Sequence, residues 1–375
     1  MKHIGIDLGT ANTIIYMKGR GIVLREPSVV AIESRGKNVV AVGSEAKLML
    51  GKTPGSIKAL RPLKDGVIAE FDATAAMLRH FFKKVSGNTI MSRPKVIICI
   101  PYGVTEVEKR AVEDVTLEAG AQSVALIEEP LAAAIGSGLR VGDARGSMIV
   151  DIGGGTTEVA VLSSGGIVLS TSIRTAGDEL DDAVSAYIKK KYNVLIGDVT
   201  AEALKKNIGA AHPSFDRGVM EVRGRNLMNG LPAVLGISSA DIREAMAGGV
   251  RSIIESIKTT LENTPPELSS DIFDTGIVLS GGGALLPGLD LLLAQNTGIR
   301  TFVAKNPLDC VAHGIGRSLE SDQMGIPYLL PDMGKILLIL LGSLVLSAIV
   351  GPLASAHSAH KISQAETYHT MREGE

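Results

Sequence analysis

Short apolar runs alternate with amphipathic segments along most of the chain. Runs typical of β-strands cover residues 4–6, 14–17, 28–32, 96–100, 124–127, 147–150, 159–162 and 277–279. Apolar side chains spaced three and four apart predict helices over residues 73–85, 105–119, 130–136, 177–192, 201–208, 240–261, 288–294 and 310–319. Residues 33–72 predict short strands and turns, and residues 221–235 predict a β-ribbon that turns at Gly224 and Gly230. Strands that alternate with helices in this way predict an α/β fold.

The turn that follows strand 147–150 has an unusual composition. Asp151 ends the strand, Gly153, Gly154 and Gly155 form the turn, and Thr156 and Thr157 open the next strand. Glycines leave backbone N–H groups open to an anion because no Cβ blocks a close approach. An aspartate at a strand end can hold a metal ion through water, and the two threonines add hydroxyl donors. The composition therefore predicts a hairpin that binds a phosphate chain with its magnesium.

A second turn near the start of the chain has the same order of residues. Strand 4–6 is followed by Asp7, Gly9 and Thr10, and then by strand 14–17. Two such turns, separated by 144 residues from Asp7 to Asp151, predict a duplicated phosphate clamp with one loop from each lobe. A nucleotide held by both loops would lie in the cleft where the lobes meet.

The composition of the chain argues against several other classes of protein. Apolar residues make up 45%, charged residues 21%, and the net charge is −2, which argues against a disordered or nucleic-acid-binding protein. The absence of tryptophan and an aromatic content of 3% argue against base stacking. We therefore expect no nucleic-acid partner. Cys99 and Cys310 follow no spacing motif, so we expect buried free thiols in a reducing cytoplasm.

One segment near the end of the chain departs from this soluble pattern. Residues 336–356 carry no charged side chain, and about 20 apolar residues suffice to span the ~30 Å hydrocarbon core of a bilayer. We expect a transmembrane helix here, with a buried terminal helix as the alternative. The flanking Lys335, Lys361 and Arg372 do not set an orientation.

Five separated motifs place the chain near a known group of proteins. In the order of the chain they are residues 7–13, 127–130, 151–158, 280–284 and 306–310. Over residues 2–320 the chain resembles the actin and heat-shock ATPase superfamily, and within it the MreB-type bacterial actins. The last ~55 residues depart from that family's pattern, which puts any simple transfer of polymer geometry in doubt.

The resemblance implies an actin-like two-lobed ATPase fold of duplicated ribonuclease-H-like domains with smaller inserted subdomains. The expected first large subdomain is 1–32 and 73–140, completed by about 310–320, with 33–72 as its small insertion. The second large subdomain is expected at 141–180 and 240–309, with 181–239 as its small partner. A linker at 321–335, the apolar span 336–356 and a polar tail 357–375 follow.

The resemblance also implies roles at the phosphate end of the site. Asp7 and Asp151 would bracket Mg²⁺ largely through water. The phosphates of ATP would be held by Gly9, Thr10, Ala11, Asn12, Gly153, Gly154, Gly155 and Thr156. Catalysis would fall to Glu129, which orients the attacking water, with Thr156 assisting and Asp151 holding the metal. The alternatives are a carboxylate that stabilises a helix N-terminus for Glu129 and plain turn formation for the two aspartates.

At the nucleoside end, the resemblance implies that Glu202 and Lys205 contact the ribose and adenine. An ion pair three residues apart on a solvated helix is the alternative. The loop formed by Gly281, Gly282, Gly283 and Ala284 would lie against the adenosine, with an ordinary strand-to-helix turn as its alternative.

In the same family, a short apolar loop of the first subdomain can dip into the bilayer. Ile90 and Met91 occupy that place, next to Lys83, Lys84 and Arg93. They could insert shallowly and meet anionic lipid. Ordinary packing under the loop is the alternative.

Taken with the motifs, the resemblance predicts an ATP- and Mg²⁺-dependent ATPase that forms filaments at the cytoplasmic, inner face of the cell membrane. Its expected partners are further copies of itself in paired protofilaments, inner-membrane lipid, and membrane proteins of cell-wall elongation. Its expected role is to direct wall synthesis and maintain rod shape. The alternatives are a non-polymerising nucleotide-binding membrane scaffold and a kinase on the same fold. A heat-shock chaperone would need a β-rich domain after residue 330, where only the apolar run and a short polar tail follow.

Overall fold

The computed structural model describes residues 2–35, 38–86 and 93–320. The predicted membrane loop at Ile90 and Met91, the linker 321–335, the apolar span 336–356 and the tail 357–375 lie outside these residues. In the part of the chain that is described, no helix is both long and apolar enough to cross a bilayer.

Helices and strands alternate along the described chain, as an α/β fold requires. The strands are β1 (His3–Leu8), β2 (Asn12–Met17), β3 (Gly21–Pro27), β4 (Val30–Glu33), β5 (Val39–Val42), β6 (Ile57–Leu60), β7 (Leu63–Lys64), β8 (Val67–Ile68), β9 (Lys95–Ile100), β10 (Ser123–Glu128), β11 (Ser147–Ile152), β12 (Thr157–Ser163), β13 (Gly166–Ile173), β14 (Val194–Leu195), β15 (Val219–Asn226), β16 (Pro232–Ser238), β17 (Ile277–Ser280) and β18 (Thr301–Val303). The helices are α1 (Ser44–Met49), α2 (Phe71–Ser86), α3 (Glu106–Glu118), α4 (Glu129–Ser137), α5 (Gly177–Tyr192), α6 (Asp198–Ile208), α7 (Ser239–Glu262), α8 (Pro266–Thr275), α9 (Leu289–Thr297) and α10 (Cys310–Glu320).

Two five-stranded sheets share one topology. The first has the order β3-β2-β1-β9-β10, and the second has the order β13-β12-β11-β17-β18. In each sheet the first three strands are antiparallel, and the last two run parallel to the third. The predicted duplication is therefore confirmed. It places the hairpin β1–β2 and the hairpin β11–β12 at equivalent positions in their sheets.

The central strand β11 is buried on both faces, which explains its continuous apolar run. Met148 and Val150 pack with side chains of α5 and α7. Ile149, on the opposite face, packs with side chains of α4 and α10. The same cluster takes in Ile97 of the first sheet, so α4 and α10 connect the apolar cores of the two sheets.

Helices α4 and α10 cross at backbone contact, and glycines make this possible. A Cβ on Gly136 would lie 1.7 Å from the carbonyl oxygen of Cys310, and one on Gly314 would lie 1.8 Å from that of Ala132. No larger residue fits either position without moving a helix. The crossing holds α4 in place, and α4 begins at Glu129.

The described residues also form three smaller sheets. Two are three-stranded, with the orders β5-β4-β6 and β14-β15-β16, and the third pairs β7 with β8. Helix α1 lies between β5 and β6, where the sequence predicted only strands and turns. Helix α8 was also not predicted, because prolines at 265 and 266 resemble a break; at the first turn of a helix, however, proline fits well.

Two predicted details are wrong for identifiable reasons. Residues 28–32 do not form one strand, because Ser28 donates its N–H to the carbonyl of Ala11 and its hydroxyl to that of Gly9. These bonds divert the chain between β3 and β4. Gly224 is not a turn but lies within β15 opposite Ala233, and a Cβ there would lie 2.6 Å from the carbonyl oxygen of Leu195.

Candidate functional site

A cavity of about 640 Å³ is lined by residues of both large sheets. Small-molecule sites commonly have volumes of roughly 300–1,000 Å³. The predicted site residues that line it are Asp7, Gly9, Thr10, Ala11, Asn12, Glu129, Asp151, Gly153, Gly154, Gly155, Thr156, Glu202, Lys205, Gly281, Gly282 and Gly283. Ala284 differs from these, since it is buried behind the loop and is not among the lining residues.

The two predicted phosphate loops have the same internal hydrogen bond. In the hairpin β1–β2, the N–H of Gly9 donates to the carbonyl of Asn12 at 3.1 Å. In the hairpin β11–β12, the N–H of Gly153 donates to the carbonyl of Thr156 at 2.9 Å. Each bond closes a tight turn directly after the strand that ends near Asp7 or Asp151.

The two loops pack against each other at the cavity, and no space remains for a side chain on the glycines of the second loop. A Cβ on Gly154 would lie 2.8 Å from Cβ of Ala11, and one on Gly155 would lie 2.7 Å from Oγ1 of Thr10. These distances are too short for real side chains, so the glycines of the second loop accommodate the side chains of the first. The two loops, which are about 140 residues apart in the sequence, are thereby brought together.

Three carboxylic acids lie beside these loops, of which Asp151 is buried and Asp7 and Glu129 are half-buried. Burial, and then the nearby charge of Asp151, raises the pKa of Asp7 to about 7. Burial and the same neighbour raise the pKa of Glu129 well above its usual range. Burial also raises the pKa of Asp151, although the hydroxyl of Ser280, 2.5 Å from its Oδ1, and a hydrogen bond with Glu129 act in the opposite direction.

This concentration of acids fits a cation bound among water molecules. The nearby charge of Asp151 raises the pKa of both other carboxyl groups, so positive charge is favourable at this site. In the described residues, no three His, Cys, Asp or Glu side chains are grouped closely enough to ligate a metal directly. The two aspartates could hold Mg²⁺ through water, since that ion keeps several water ligands.

The two threonines of the second hairpin differ in what they can reach. Thr156 lines the cavity. The hydroxyl of Thr157 instead donates to the carbonyl of Thr175 at 2.7 Å. The expectation that both hydroxyls serve the site is therefore wrong, because successive residues of a strand point to opposite faces.

Glu202 and Lys205 lie at the mouth of the cavity, each with a different partner. Glu202 accepts from Lys206 and lies 3.0 Å from Nζ of Lys47, while Lys205 lies 2.9 Å from Asp181. Burial acts against ionisation, but the bonds from Lys206 and Lys47 lower the pKa of Glu202 to about 2. The alternative interpretation, an ion pair between Glu202 and Lys205, does not fit these contacts.

The glycine loop after β17 packs onto the end of β11. Gly281 has a φ of 79°, and a Cβ there would lie 2.3 Å from the carbonyl oxygen of Ile152. A Cβ on Gly283 would lie 2.2 Å from Cγ2 of the same residue. Both glycines are therefore required by packing, while Gly282 has more space and lies near Leu308.

Sequence reasoning missed the residues that 33–72 contributes to the cavity. Arg61 bonds Asp178 of α5 at 2.6 Å, and Lys47 of α1 reaches Glu202. Gly66 also lines the cavity. Asp65-Gly66 between apolar residues is a recognised hairpin signal and could have been found, but no local pattern marks the partners of the two cations.

Known proteins resemble the chain over most of its length. The family model described as MreB/Mbl protein matches residues 1–325. The cell shape-determining protein MreB of Escherichia coli strain K12 is 53% identical over 326 residues, which are 86% of this chain and 94% of that protein. The cell shape-determining protein Mbl of Bacillus subtilis strain 168 is 48% identical over 320 residues, which are 85% and 96% of the two chains.

Solved structures give the same result for the fold. Crystal structures of MreB5 of Spiroplasma citri, bound to ADP and to AMPPNP, superpose with a TM-score of 0.80 at 40% identity and cover 84% of this chain and 94% of theirs. A MamK double helical filament matches with a TM-score of 0.71 at 22% identity, which bears on the fold alone. The predicted actin-like α/β fold is confirmed, and the chain belongs to the MreB/Mbl family.

Proposed function

We propose that this chain binds ATP with Mg²⁺ in the cavity and hydrolyses it to control filaments that it forms with further copies of itself. The filaments would lie at the inner, cytoplasmic face of the cell membrane, direct cell-wall synthesis and maintain rod shape. The observation that carries the proposal is the pair of equivalent hairpins whose loops meet across a cavity lined by Glu129. The names of the E. coli and B. subtilis relatives and the nucleotides bound by MreB5 support it.

Backbone groups of both loops would hold the phosphates. Thr10 to Asn12 would offer N–H groups from one side and Gly154 to Thr156 from the other, while the N–H groups of Gly9 and Gly153 close their own turns. Such donors are fixed before the reaction, so they stabilise the charge that spreads over the transferred phosphoryl group without reorganising. The second loop can approach closely because its glycines carry no Cβ.

Asp7 and Asp151 would hold Mg²⁺ largely through water. When bound, the ion would screen the charge on the phosphate oxygens. Asp151 is held by the hydroxyl of Ser280, which keeps its carboxylate in one orientation. Asp7 has a weaker partner, the Cys99 thiol at 3.7 Å.

Glu129 would orient the attacking water, with the hydroxyl of Thr156 assisting. It is the first residue of α4, whose position is fixed by the glycine crossing with α10. With positive charge beside Asp7 and Asp151, the repulsion that raises its pKa would be offset, and its carboxylate could accept a hydrogen bond from water.

The nucleoside would lie against Gly281, Gly282, Gly283 and Ala284 and contact Glu202 and Lys205. Both charged side chains already have partners, so nucleoside binding would exchange those contacts for new ones. The subdomain boundaries predicted above form part of the same proposal. The sheet β14-β15-β16 lies within 181–239 and supports its placement, whereas the sheet β5-β4-β6 begins at Val30 and moves the start of the first insertion from 33 to about 30.

Contact with the membrane would use Ile90 and Met91 as a shallow insertion and residues 336–356 as an anchor. The further partners would be inner-membrane lipid and membrane proteins of cell-wall elongation. Nucleic acid would not be a partner, in keeping with a net charge of −2 and an aromatic content of 3%.

The test is electron microscopy of the purified full chain on vesicles of anionic lipid, with ATP, with ADP and without nucleotide. We expect filaments with ATP that disappear in Asp151→Ala, and filaments that persist in Glu129→Ala without phosphate release. A chain ending at Leu319 should still polymerise if the tail serves only as an anchor. Absence of filaments in every condition, or transfer of phosphate to a small molecule, would overturn the proposal.

A further inference from the structure

A two-residue turn from the small insertion reaches the phosphate loops. Asp65 and Gly66 connect β7 to β8, and their φ angles are 51° and 78°. Positive φ at both central residues is the mark of a type I′ hairpin turn, which is compact and holds its shape. Leu63, at the base of the turn, is buried. The turn is therefore a firmly placed part of the cavity wall.

The turn touches both phosphate loops at once. The N–H of Gly66 donates to Oγ1 of Thr10 in the first loop at 3.1 Å. In the second loop, a Cβ on Gly155 would lie 2.9 Å from Cα of Asp65. The absence of a side chain at Gly155 thus makes room for the turn as well as for Thr10.

The turn also leaves no space for a side chain beside Thr156. A Cβ on Gly66 would lie 2.9 Å from Cγ of Pro101 and 3.0 Å from the methyl carbon Cγ2 of Thr156. The methyl group of Thr156 therefore borders the space that the bare Cα of Gly66 leaves open. Threonine carries its methyl and hydroxyl on one carbon, so a fixed methyl group fixes the hydroxyl as well.

We infer that Gly66 is a positioning residue for ATP hydrolysis. Its bare Cα lets the Asp65–Gly66 turn pack on Thr156 and hold the hydroxyl of that residue at its place in the cavity. The inference rests on the proposed function, since it assigns no new reaction. It predicts that filling the space at Gly66 slows hydrolysis while leaving ADP binding intact, because Thr156 acts on the attacking water.

The first test compares Gly66→Ala with Gly51→Ala in the full chain. Gly51 has a φ of 69°, and nothing lies within 4 Å of the place that a Cβ would take there, so this control introduces the same backbone strain without a clash. We expect Gly66→Ala to lower kcat by about 10-fold or more, since small displacements of catalytic groups carry costs of that order. Gly51→Ala should keep the wild-type rate, and both variants should bind ADP like wild type.

The second test asks whether the effect passes through Thr156. Thr156→Ser removes the methyl group that a Cβ at Gly66 would strike and keeps the hydroxyl. In the Thr156→Ser background, Gly66→Ala should lower kcat by at least about 3-fold less than it does in wild type. Independent sites do not show such a coupling. An additive double variant would overturn the inference.

The remaining outcomes are also decisive. Equal rates in Gly66→Ala and Gly51→Ala, or a parallel loss of ADP binding and hydrolysis, would overturn the positioning role. If Gly66→Ala does not fold, Pro101→Ala widens the same space at Gly66 from its other side, loosens the packing of the turn on Thr156, and should lower kcat a few-fold with ADP binding unchanged. An unaltered rate there would count against the inference. Wild type that hydrolyses no ATP would instead refute the proposed function.

Discussion

The two ends of the cavity are held together by different kinds of contact. At the end proposed to hold the phosphates, below called the phosphate end, the glycine backbone of one loop meets side chains of the other: Gly154 and Gly155 accept Ala11 and Thr10 at distances that no other residue would allow. At the nucleoside end, charged side chains meet across the opening, as in the pairs of Lys47 with Glu202 and Lys205 with Asp181. Close packing fixes the structure of the first end, whereas the second end is held by ion pairs that contacts with a ligand can replace.

This difference assigns the two ends different tasks. A loop that fits only without a Cβ holds its donors in place before any ligand arrives, which suits stabilisation of transition-state charge. The ion pairs of Glu202 and Lys205 are partly buried, and a ligand that offers each side chain an equivalent polar contact can replace them without leaving a buried charge unpaired. We therefore expect variants at the phosphate end to have large effects and variants at the nucleoside end to have small ones.

The largest effect is expected for Glu129→Gln. Glutamine keeps the size of the side chain and removes its charge, so kcat for ATP hydrolysis should fall by ~100-fold or more, as for other positioned proton acceptors. ADP affinity should stay within about twofold, because the lost interaction is made only during reaction. Phosphate release and binding of a fluorescent ADP give the two measurements.

Glu128→Gln is the matched control for that variant. Glu128 precedes Glu129 at the end of β10 but is not among the residues that line the cavity, so its replacement should leave the rate near wild type. A Glu129→Gln protein that retains a third or more of its activity would refute the role of Glu129.

The next effect is expected for Gly154→Ala, which tests the fit of the loops. The new methyl group would lie 2.8 Å from Cβ of Ala11. Overpacking costs about 1–3 kcal/mol, so ATP should bind about 10-fold more weakly. Adding Ala11→Gly moves the methyl group from one loop to the other and should restore most of the affinity.

Gly166→Ala is the control for this swap, since nothing lies within 4 Å of that position. Titration calorimetry with ATP and Mg²⁺ would compare the four proteins. If the double variant binds no better than Gly154→Ala, the contact between Gly154 and Ala11 does not limit binding.

The same contrast explains what the sequence alone could predict. The phosphate loops could be found because their chemistry is local: an aspartate at a strand end, glycines at a turn, and a following strand. The equal order of the two large sheets also follows from the repeat of that local pattern. Glu129 was predicted through the family resemblance, and the proline and the alanines after it predicted the helix that the structure has as α4.

The nucleoside end could not be predicted in the same way. Lys47 and Glu202 are far apart in the chain, and nothing around either residue marks the other as its partner. Helix α1, which carries Lys47, is short and lies in a segment rich in Gly, Lys and Pro. The two threonines show a related limit, because only the strand geometry reveals that Thr157 turns away toward Thr175.

A smaller effect is expected for Lys47→Met. Without nucleotide, Lys47 holds Glu202, and a nucleoside that recruits Glu202 must displace it. Partly exposed ion pairs are worth up to about 1 kcal/mol, so removal of the cation should strengthen ATP binding by ~2- to 5-fold. Stopped-flow binding would show whether association also becomes faster.

Lys58→Met is the control for Lys47→Met, because Lys58 forms a loose exposed pair with Glu70 at 4.0 Å. It should leave ATP affinity as it is. Weaker ATP binding in Lys47→Met would mean that this lysine helps to hold the nucleotide rather than competing with it.

The smallest effect is a pH dependence of stability without nucleotide. Glu202 has a pKa lowered to about 2 in the folded chain, so its ion pairs stabilise the fold above its unfolded pKa near 4.5, and this stabilisation is lost as the pH falls toward 2. Glu202→Gln should therefore lower the melting temperature by a few degrees at pH 7, for a loss of about 1 kcal/mol. The difference from wild type should shrink below pH 4.5.

Asp181 should show the opposite slope at the same end of the cavity. Burial, only partly offset by Lys205, raises its pKa to about 6, so the fold is favoured while the group is protonated, and that advantage is lost as the pH rises from about 4 through 6. The melting temperature of wild type relative to Asp181→Asn should accordingly fall over that interval. Melting curves of the three proteins between pH 4 and 8 would test both slopes. Parallel melting curves for all three proteins would mean that the pKa of neither carboxylate is shifted in the folded chain. The statement that charged contacts hold the nucleoside end together would then be refuted.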